Sequence, residues 1–298
     1  MTNAAPVLGF IGLGVMGGPM CGNVARKHAA PVHAYDMSSE ALEDSVKAGA
    51  IAASTIADVA AVSDIVFLSL PSGKQVKEVC LGEGGLLSAG SPGMTVVDLS
   101  TTSVAEARHV AEKLSEKGIS FLDAPVARTR QAAQEGTLSI MVGASPELFA
   151  KIEPLLRYMG SDITHCGDTG CGQVVKVLNN TLVFEHTAAL AEVMVIGERA
   201  GVAPETLLQA ISSGSGDSFV LRNHGLKAMV PRIFPEKAFP STYVLKDLSY
   251  AIELAENCGV EPKLPEQARK YYSAAIEHGL GELYFPTIIE LIGKPASK

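Results

Sequence analysis

Two places in the sequence combine residue type and spacing in a way that suits chemistry. In the first, Gly12, Gly14 and Gly17 spell G-x-G-x-x-G straight after the apolar run Val7–Ile11 and open a helical pattern. The first glycine permits a tight turn and the second lets a pyrophosphate approach the backbone. The third packs helix on strand, and the helix N-terminus favours the phosphate charge. Leu13, Val15 and Met16 complete this cofactor loop. Asp36 closes the next run, Val32–Tyr35, where a carboxylate accepts from a ribose 2′-OH and repels a 2′-phosphate. Tyr35 and Met37 add no basic group, so NAD is expected over NADP. Leu70, Pro71, Ser100 and Thr101 end later runs on the same side, placed to line the nicotinamide ribose.

The second place is GCGQVVKVLNN, residues 170–180. Lys176 and Asn180 stand four apart and Asn179 three from the lysine, near one helical face. Val174, Val175, Val177 and Leu178 surround the lysine, so it is partly desolvated. Desolvation and a nearby nicotinamide cation both depress an amine's pKa, which makes Lys176 a usable proton donor and acceptor. Asn180 suits the orientation of a substrate hydroxyl or carboxylate. The bland alternative is a snorkelling lysine beside solvent-facing asparagines. Cys171 lacks a base nearby in sequence and is read as packing; Glu185 and His186 are read as structural or interface residues.

Positioning these groups requires alternating strands and helices. Strands are expected at Val7–Ile11, Val32–Tyr35, from Ile51, at Ile65–Leu70, Thr95–Leu99, Ser120–Asp123 and Leu138–Val142, with helices between them. That alternation predicts an α/β Rossmann-type domain over residues 1–167, with a mostly parallel sheet. From 168 to 298 the patterns are helical: one long interdomain helix over about 172–200, then an all-α domain. Segments 204–212, 218–230, 244–258, 264–278 and 285–292 each read as helix, and 294–298 as a frayed tail.

Composition narrows the function classes. The 298 residues carry 24 Lys+Arg against 32 Asp+Glu, and no basic run or nucleic-acid motif occurs. A polyanion partner is not expected. The five cysteines are odd in number and form no metal-ligand pattern, so free thiols, no metal and a reducing compartment, the cytoplasm, are expected. No stretch approaches 18 continuous apolar residues, and the glycine-broken start is not read as a secretory leader.

The sequence resembles the 3-hydroxyisobutyrate dehydrogenase, or short β-hydroxyacid dehydrogenase, family over almost its whole length. The resemblance is carried by GFIGLGVMGGPM, LDAPV (122–126), EGTLSIMVG (135–143), GCGQVVKVLNN and LKDL (245–248). It implies reversible oxidation of a small anionic 3-hydroxyacid to the 3-oxoacid or semialdehyde, in a homodimer or homotetramer. It further implies that Lys176 is the catalytic lysine, Asn180 its substrate-orienting partner, and that Thr101 and Lys246 contact the cofactor. Asp247 is read as holding the local fold. Such proteins usually continue DAPV with Ser-Gly-Gly; here Ala127, Arg128 and Thr129 follow, then Arg130.

Arg128 and Thr129 are therefore expected, with Asn179, at the substrate. A guanidinium fork suits a carboxylate or a sulfonate. The Arg-Thr pair resembles that of the sulfolactaldehyde reductases, which gives a sulfonate as the alternative to a carboxylate. Oxidative decarboxylation is disfavoured because Gln173 and Asn179 stand where that chemistry prefers a histidine, and imine reduction is disfavoured by Lys176 itself. A non-catalytic NAD-binding scaffold is the remaining alternative. Tyr284 and Phe285 are read as either pocket or subunit contact.

Overall fold

The computed structural model describes residues 5–236 and 238–293, so the tail expected at 294–298 lies outside the described residues. The first strands form where branched and aromatic side chains run together: β1 (Leu8–Ile11), β2 (Val32–Tyr35), β3 (Ile51–Ala52), β4 (Ile65–Leu68), β5 (Thr95–Asp98) and β6 (Ser120–Asp123). They pair in the order β3-β2-β1-β4-β5-β6, all parallel, so that β1 and β4 lie side by side where the order reverses. This is the doubly wound arrangement, whose ligand crevice opens at the carboxyl ends beside that reversal.

Three more strands extend the sheet: β7 (Val126–Ala127), β8 (Leu138–Gly143) and β9 (Gly160–Gly167). β8 runs antiparallel to β6 and β7 and parallel to β9. β7 and β9 are absent from the sequence expectation. β9 reads Gly-Ser-Asp-Ile-Thr-His-Cys-Gly and is largely exposed or half-buried, so it lacks the apolar run that marks a buried strand. The strands bury opposite faces in turn. Leu8 and Phe10 of β1 join one apolar core with Val24 and Ile152, while Ile11 joins another with Val66, Val96 and Leu114.

Several helix starts are set by side-chain caps. Ser38, Thr55 and Ser145 each accept from a backbone N–H three residues on, and Ser103 with Glu106 forms a capping box. The long helix runs Cys171–Arg199. The chain divides into two units between Lys176 and Val177, inside that helix. The second unit holds helices Pro204–Ser212, Ser241–Asn257 and Lys263–Glu277, and its core gathers Phe184, Ala191, Met194, Tyr272, Phe285 and Ile288. Two of its segments depart from the expected α-helix. Leu221–Met229 is a π-helix, with Gly225 close against Leu190 and Leu208, and Phe285–Leu291, with Pro286 in its first turn, is a 3₁₀-helix.

Candidate functional site

In the first unit the expected cofactor residues all follow the carboxyl ends of parallel strands. Gly12–Gly17 follows β1, Asp36 follows β2, Leu70 and Pro71 follow β4, and Ser100 and Thr101 follow β5. Gly12 adopts φ +91, and a Cβ there would strike the Ser69 carbonyl; a Cβ at Gly17 would strike the Gly12 carbonyl. Gly14 instead faces open space. The helix Gly17–Lys27 begins with no side-chain cap and no acidic residue in its first turn. Asp36 accepts from Leu13 N at 2.5 Å and from Ser38 N at 2.7 Å, which anchors the glycine loop to the end of β2. A cradle cleared at Gly14, uncapped amides and a carboxylate at the ribose end of β2 fit a dinucleotide.

Behind that edge, the head of the long helix is tied down by two buried side chains. Asp123, at the end of β6, accepts from Gly170 N at 2.6 Å and from Gln173 N at 2.7 Å. Gln173 accepts from Thr102 N at 3.1 Å and donates to Ser100 O at 2.8 Å, bracketing Thr101. Ser100 Oγ in turn accepts from Leu70 N at 2.9 Å. Burial pushes the Asp123 carboxyl up to about 6, against the lowering effect of its amide donors and Arg108. Lys176, three residues beyond Gln173, is only 9% exposed, whereas Val175 on the same turn is 41% exposed. The helix therefore turns its lysine inward and its valine outward.

In the second unit Asn180 is 8% exposed and donates from Nδ2 to Asp247 Oδ2 at 2.7 Å. The other Asp247 oxygen pairs with Lys246 Nζ at 3.1 Å, and that ammonium lies 5.4 Å from the Tyr250 ring centroid. Asn179 departs from the shared face expected for it. It is exposed, and its Nδ2 donates to Asn180 Oδ1 at 3.1 Å. At about 100° per residue Asn179 falls further from Lys176 around the helix than Asn180 does. Phe285 is a core residue of the aromatic cluster, and Tyr284 shares a 2.6 Å hydrogen bond with His224 Nδ1.

The Arg128 loop also differs from the expected open fork. Arg128 takes φ +88, so the chain keeps a left-handed conformation with a non-glycine residue in it. Its guanidinium is occupied: Nη1 donates to Thr137 O at 2.6 Å and Ser161 Oγ at 3.1 Å, and Nη2 pairs with Asp162 at 2.8 Å. The side chain crosses to β9, the strand the sequence did not reveal. Thr129 caps the short helix Arg130–Glu135, accepting from Ala132 N, and is exposed together with Arg130.

Sequence reasoning passed over Asp123, Gln173 and Asp247 as contributors to the site. The available signals were a carboxylate closing an apolar strand in Phe-Leu-Asp, a lone glutamine in an apolar turn, and the Lys-Asp pair of LKDL. None of these states its partner.

A doubly wound sheet with a glycine cradle, an acidic β2 terminus and a buried lysine defines a nicotinamide-dependent oxidoreductase. Residues 7–167 match a family model described as the NAD binding domain of 6-phosphogluconate dehydrogenase. Residues 170–292 match one described as NAD-binding of NADP-dependent 3-hydroxyisobutyrate dehydrogenase. The chain is 37% identical to 2-(hydroxymethyl)glutarate dehydrogenase of Eubacterium barkeri, over 95% of this chain and 94% of that one. It is 33% identical to 2-hydroxy-3-oxopropionate reductase of Escherichia coli strain K12, over 96% of each. A solved structure of Mycobacterium tuberculosis 3-hydroxyisobutyrate dehydrogenase with L-serine matches with a TM-score of 0.86 and 27% identity, over 98% of this chain and 100% of that one. The chain belongs to the 3-hydroxyisobutyrate dehydrogenase family.

Proposed function

We propose that the protein interconverts a small anionic 3-hydroxyacid and its semialdehyde, of the 3-hydroxyisobutyrate or tartronate semialdehyde type, with NAD as cofactor. The observation that carries this reading is Lys176, a lysine residue only 9% exposed on a helix whose buried side also holds Asn180. Burying an ammonium is costly, and such groups concentrate where proton transfer is needed.

A bound nicotinamide supplies the hydride acceptor or donor. Gly12–Gly17 would hold the pyrophosphate and Asp36 the adenosine ribose hydroxyl, whose place a 2′-phosphate could take only against the carboxylate's charge. Leu70, Pro71 and Thr101 would line the nicotinamide ribose, and Lys246 would serve as a further cofactor residue. In oxidation the substrate's carbon loses hydride while Lys176 takes the hydroxyl proton; in reduction Lys176 returns it to the carbonyl oxygen. Asn180 aligns that oxygen, and Asn179 acts through Asn180 by donating to its Oδ1. The substrate's anion falls to the Arg128–Thr129 loop, where Arg128 must first leave Asp162.

The commitment of Arg128 to Asp162 bears equally on a carboxylate and a sulfonate, and the carboxylate reading is supported by the hydroxyacid and semialdehyde names of the relatives. Leu178, Leu182, Val193 and Ile196 are exposed apolar residues within a sector of about 60° on the long helix, which supports a homodimer or homotetramer. Five free thiols support a reducing compartment, the cytoplasm. Among the described residues no helix is long and apolar enough to cross a membrane.

The test is NADH oxidation by the purified protein against methylmalonate semialdehyde, tartronate semialdehyde and sulfolactaldehyde, ranked by kcat/KM. A carboxylate is expected to lead, and a sulfonate preference would reassign the loop as a sulfonate reader. Lys176→Met is expected to cut turnover by about 10²–10⁴ while NADH still binds. NADH binding with no turnover on any aldehyde would instead mark a scaffold.

A further inference from the structure

We infer that Asp123 is a positioning residue for Lys176, its buried carboxylate fixing the start of the helix on which that lysine lies. The inference rests on the reading of Lys176 as the proton carrier.

The first N–H groups of a helix have no partner within it. Here two of them, at Gly170 and Gln173, close onto the two oxygens of one fully buried carboxylate at the end of β6. The surroundings leave room for little else. A Cβ at Gly143 would stand 2.5 Å from Asp123 Oδ1, and one at Gly172 would stand 2.8 Å from Oδ2. The residue that donates the second bond, Gln173, is itself fully buried and spans the Ser100–Thr102 loop with both ends of its side-chain amide. The helix head is thereby tied to β6 on one side and to the loop holding Thr101 on the other. Lys176 comes three residues after Gln173, so a shift of the head carries its amine by a similar amount. A displacement of about 1 Å at a reacting group can cost about a hundredfold in rate.

The charge on Asp123 matters because an ionised carboxylate accepts at both oxygens, whereas a neutral carboxyl or amide turns one of those positions into a donor facing an N–H. The charged or titratable groups around it are Arg108, from the helix Val104–Ser115, the buried carboxylate of Asp98, its register partner on β5, and the thiol of Cys166. Burial holds the carboxyl at about 6, so it remains ionised at neutral pH and is protonated in mild acid.

The experiment compares the full-length enzyme with Asp123→Asn and Lys176→Met in the direction of aldehyde reduction with NADH. In that direction Lys176 must be protonated, so it contributes only an alkaline limb to the pH profile of kcat. We expect wild-type kcat to fall below about pH 6, and Asp123→Asn to lose at least about tenfold in kcat and that acid limb together. Its Kd for NADH, read by fluorescence, should stay within about twofold. Unchanged kcat in Asp123→Asn, or a parallel loss of kcat and NADH binding, overturns the inference. If the variant does not fold, the wild-type profile decides: an acid limb in kcat with none in NADH binding upholds the inference, and a flat profile defeats it. Full activity in Lys176→Met would sink the reading of the lysine, an outcome distinct from any result with Asp123.

Discussion

Asp247 accepts the amide of Asn180 at 2.7 Å through one carboxylate oxygen while the other pairs with Lys246 at 3.1 Å. One buried acid thus orients the asparagine assigned to the substrate and neutralises the lysine assigned to the cofactor. The arrangement also sets how Asn180 is presented. With its Nδ2 on Asp247 and its Oδ1 accepting from Asn179, its remaining N–H is the group left for a substrate oxygen.

Asp247→Ala should therefore act on catalysis and stability together. It strands a buried amide and removes the ion-pair carboxylate beside Lys246, so a loss of about 1–3 kcal/mol in stability is expected. Turnover should drop by about tenfold to a hundredfold. Urea melts and steady-state kinetics on the same preparation check both. A variant with normal kcat/KM would show that Asn180 needs no orienting partner.

Arg128 makes opposite forecasts for stability and binding. Glycine adopts φ +88 without the penalty a side chain meets, and the exposed pair with Asp162 is worth little, so Arg128→Gly should change stability by no more than about 1 kcal/mol. If the guanidinium reads the substrate's anion, KM should rise about tenfold in the same variant. Asp162→Asn, which removes the guanidinium's paired charge, should lower KM. Michaelis constants unmoved by both changes would return Arg128 to a structural role.

Asp36 both faces the ribose position and anchors Leu13, so Asp36→Ser is expected to weaken NADH binding for two reasons. The ratio of NADH to NADPH affinity isolates the ribose contribution, because the loop's anchoring affects both cofactors alike. That ratio should fall by about tenfold. Fluorescence titration with each cofactor measures it, and an unaltered ratio would remove Asp36 from cofactor selection.

The stability effect of Asp123 has a definite sign. Its folded-state value, about 6, lies above its ordinary 3.8, so the unfolded chain gives up this proton first as pH rises. The group's contribution to stability therefore falls between about pH 4 and pH 6, by about 3 kcal/mol, and is constant above. The stability difference between wild type and Asp123→Asn should shift by that order across the same window in paired urea titrations. A pH-independent difference would mean the carboxyl titrates normally.

The sequence by itself determined the doubly wound sheet, the glycine cradle with Asp36 and the long helix with its lysine, because each rests on short-range patterns. Apolar runs specify strands, glycines specify the turn, and the 3.6-residue period specifies the helix. Tertiary structure decided what depends on distant partners. β9 has no apolar run and exists by pairing with β8, and only its presence gives Arg128 the partner Asp162. The inward turn of Lys176, the outward turn of Asn179 and the grip of Asp123 on Gly170 and Gln173 bring together residues 47 and 50 positions apart. A hydrogen bond across such a separation leaves no periodic trace in the chain, so its partners emerge only when the sheet and the helix head have packed.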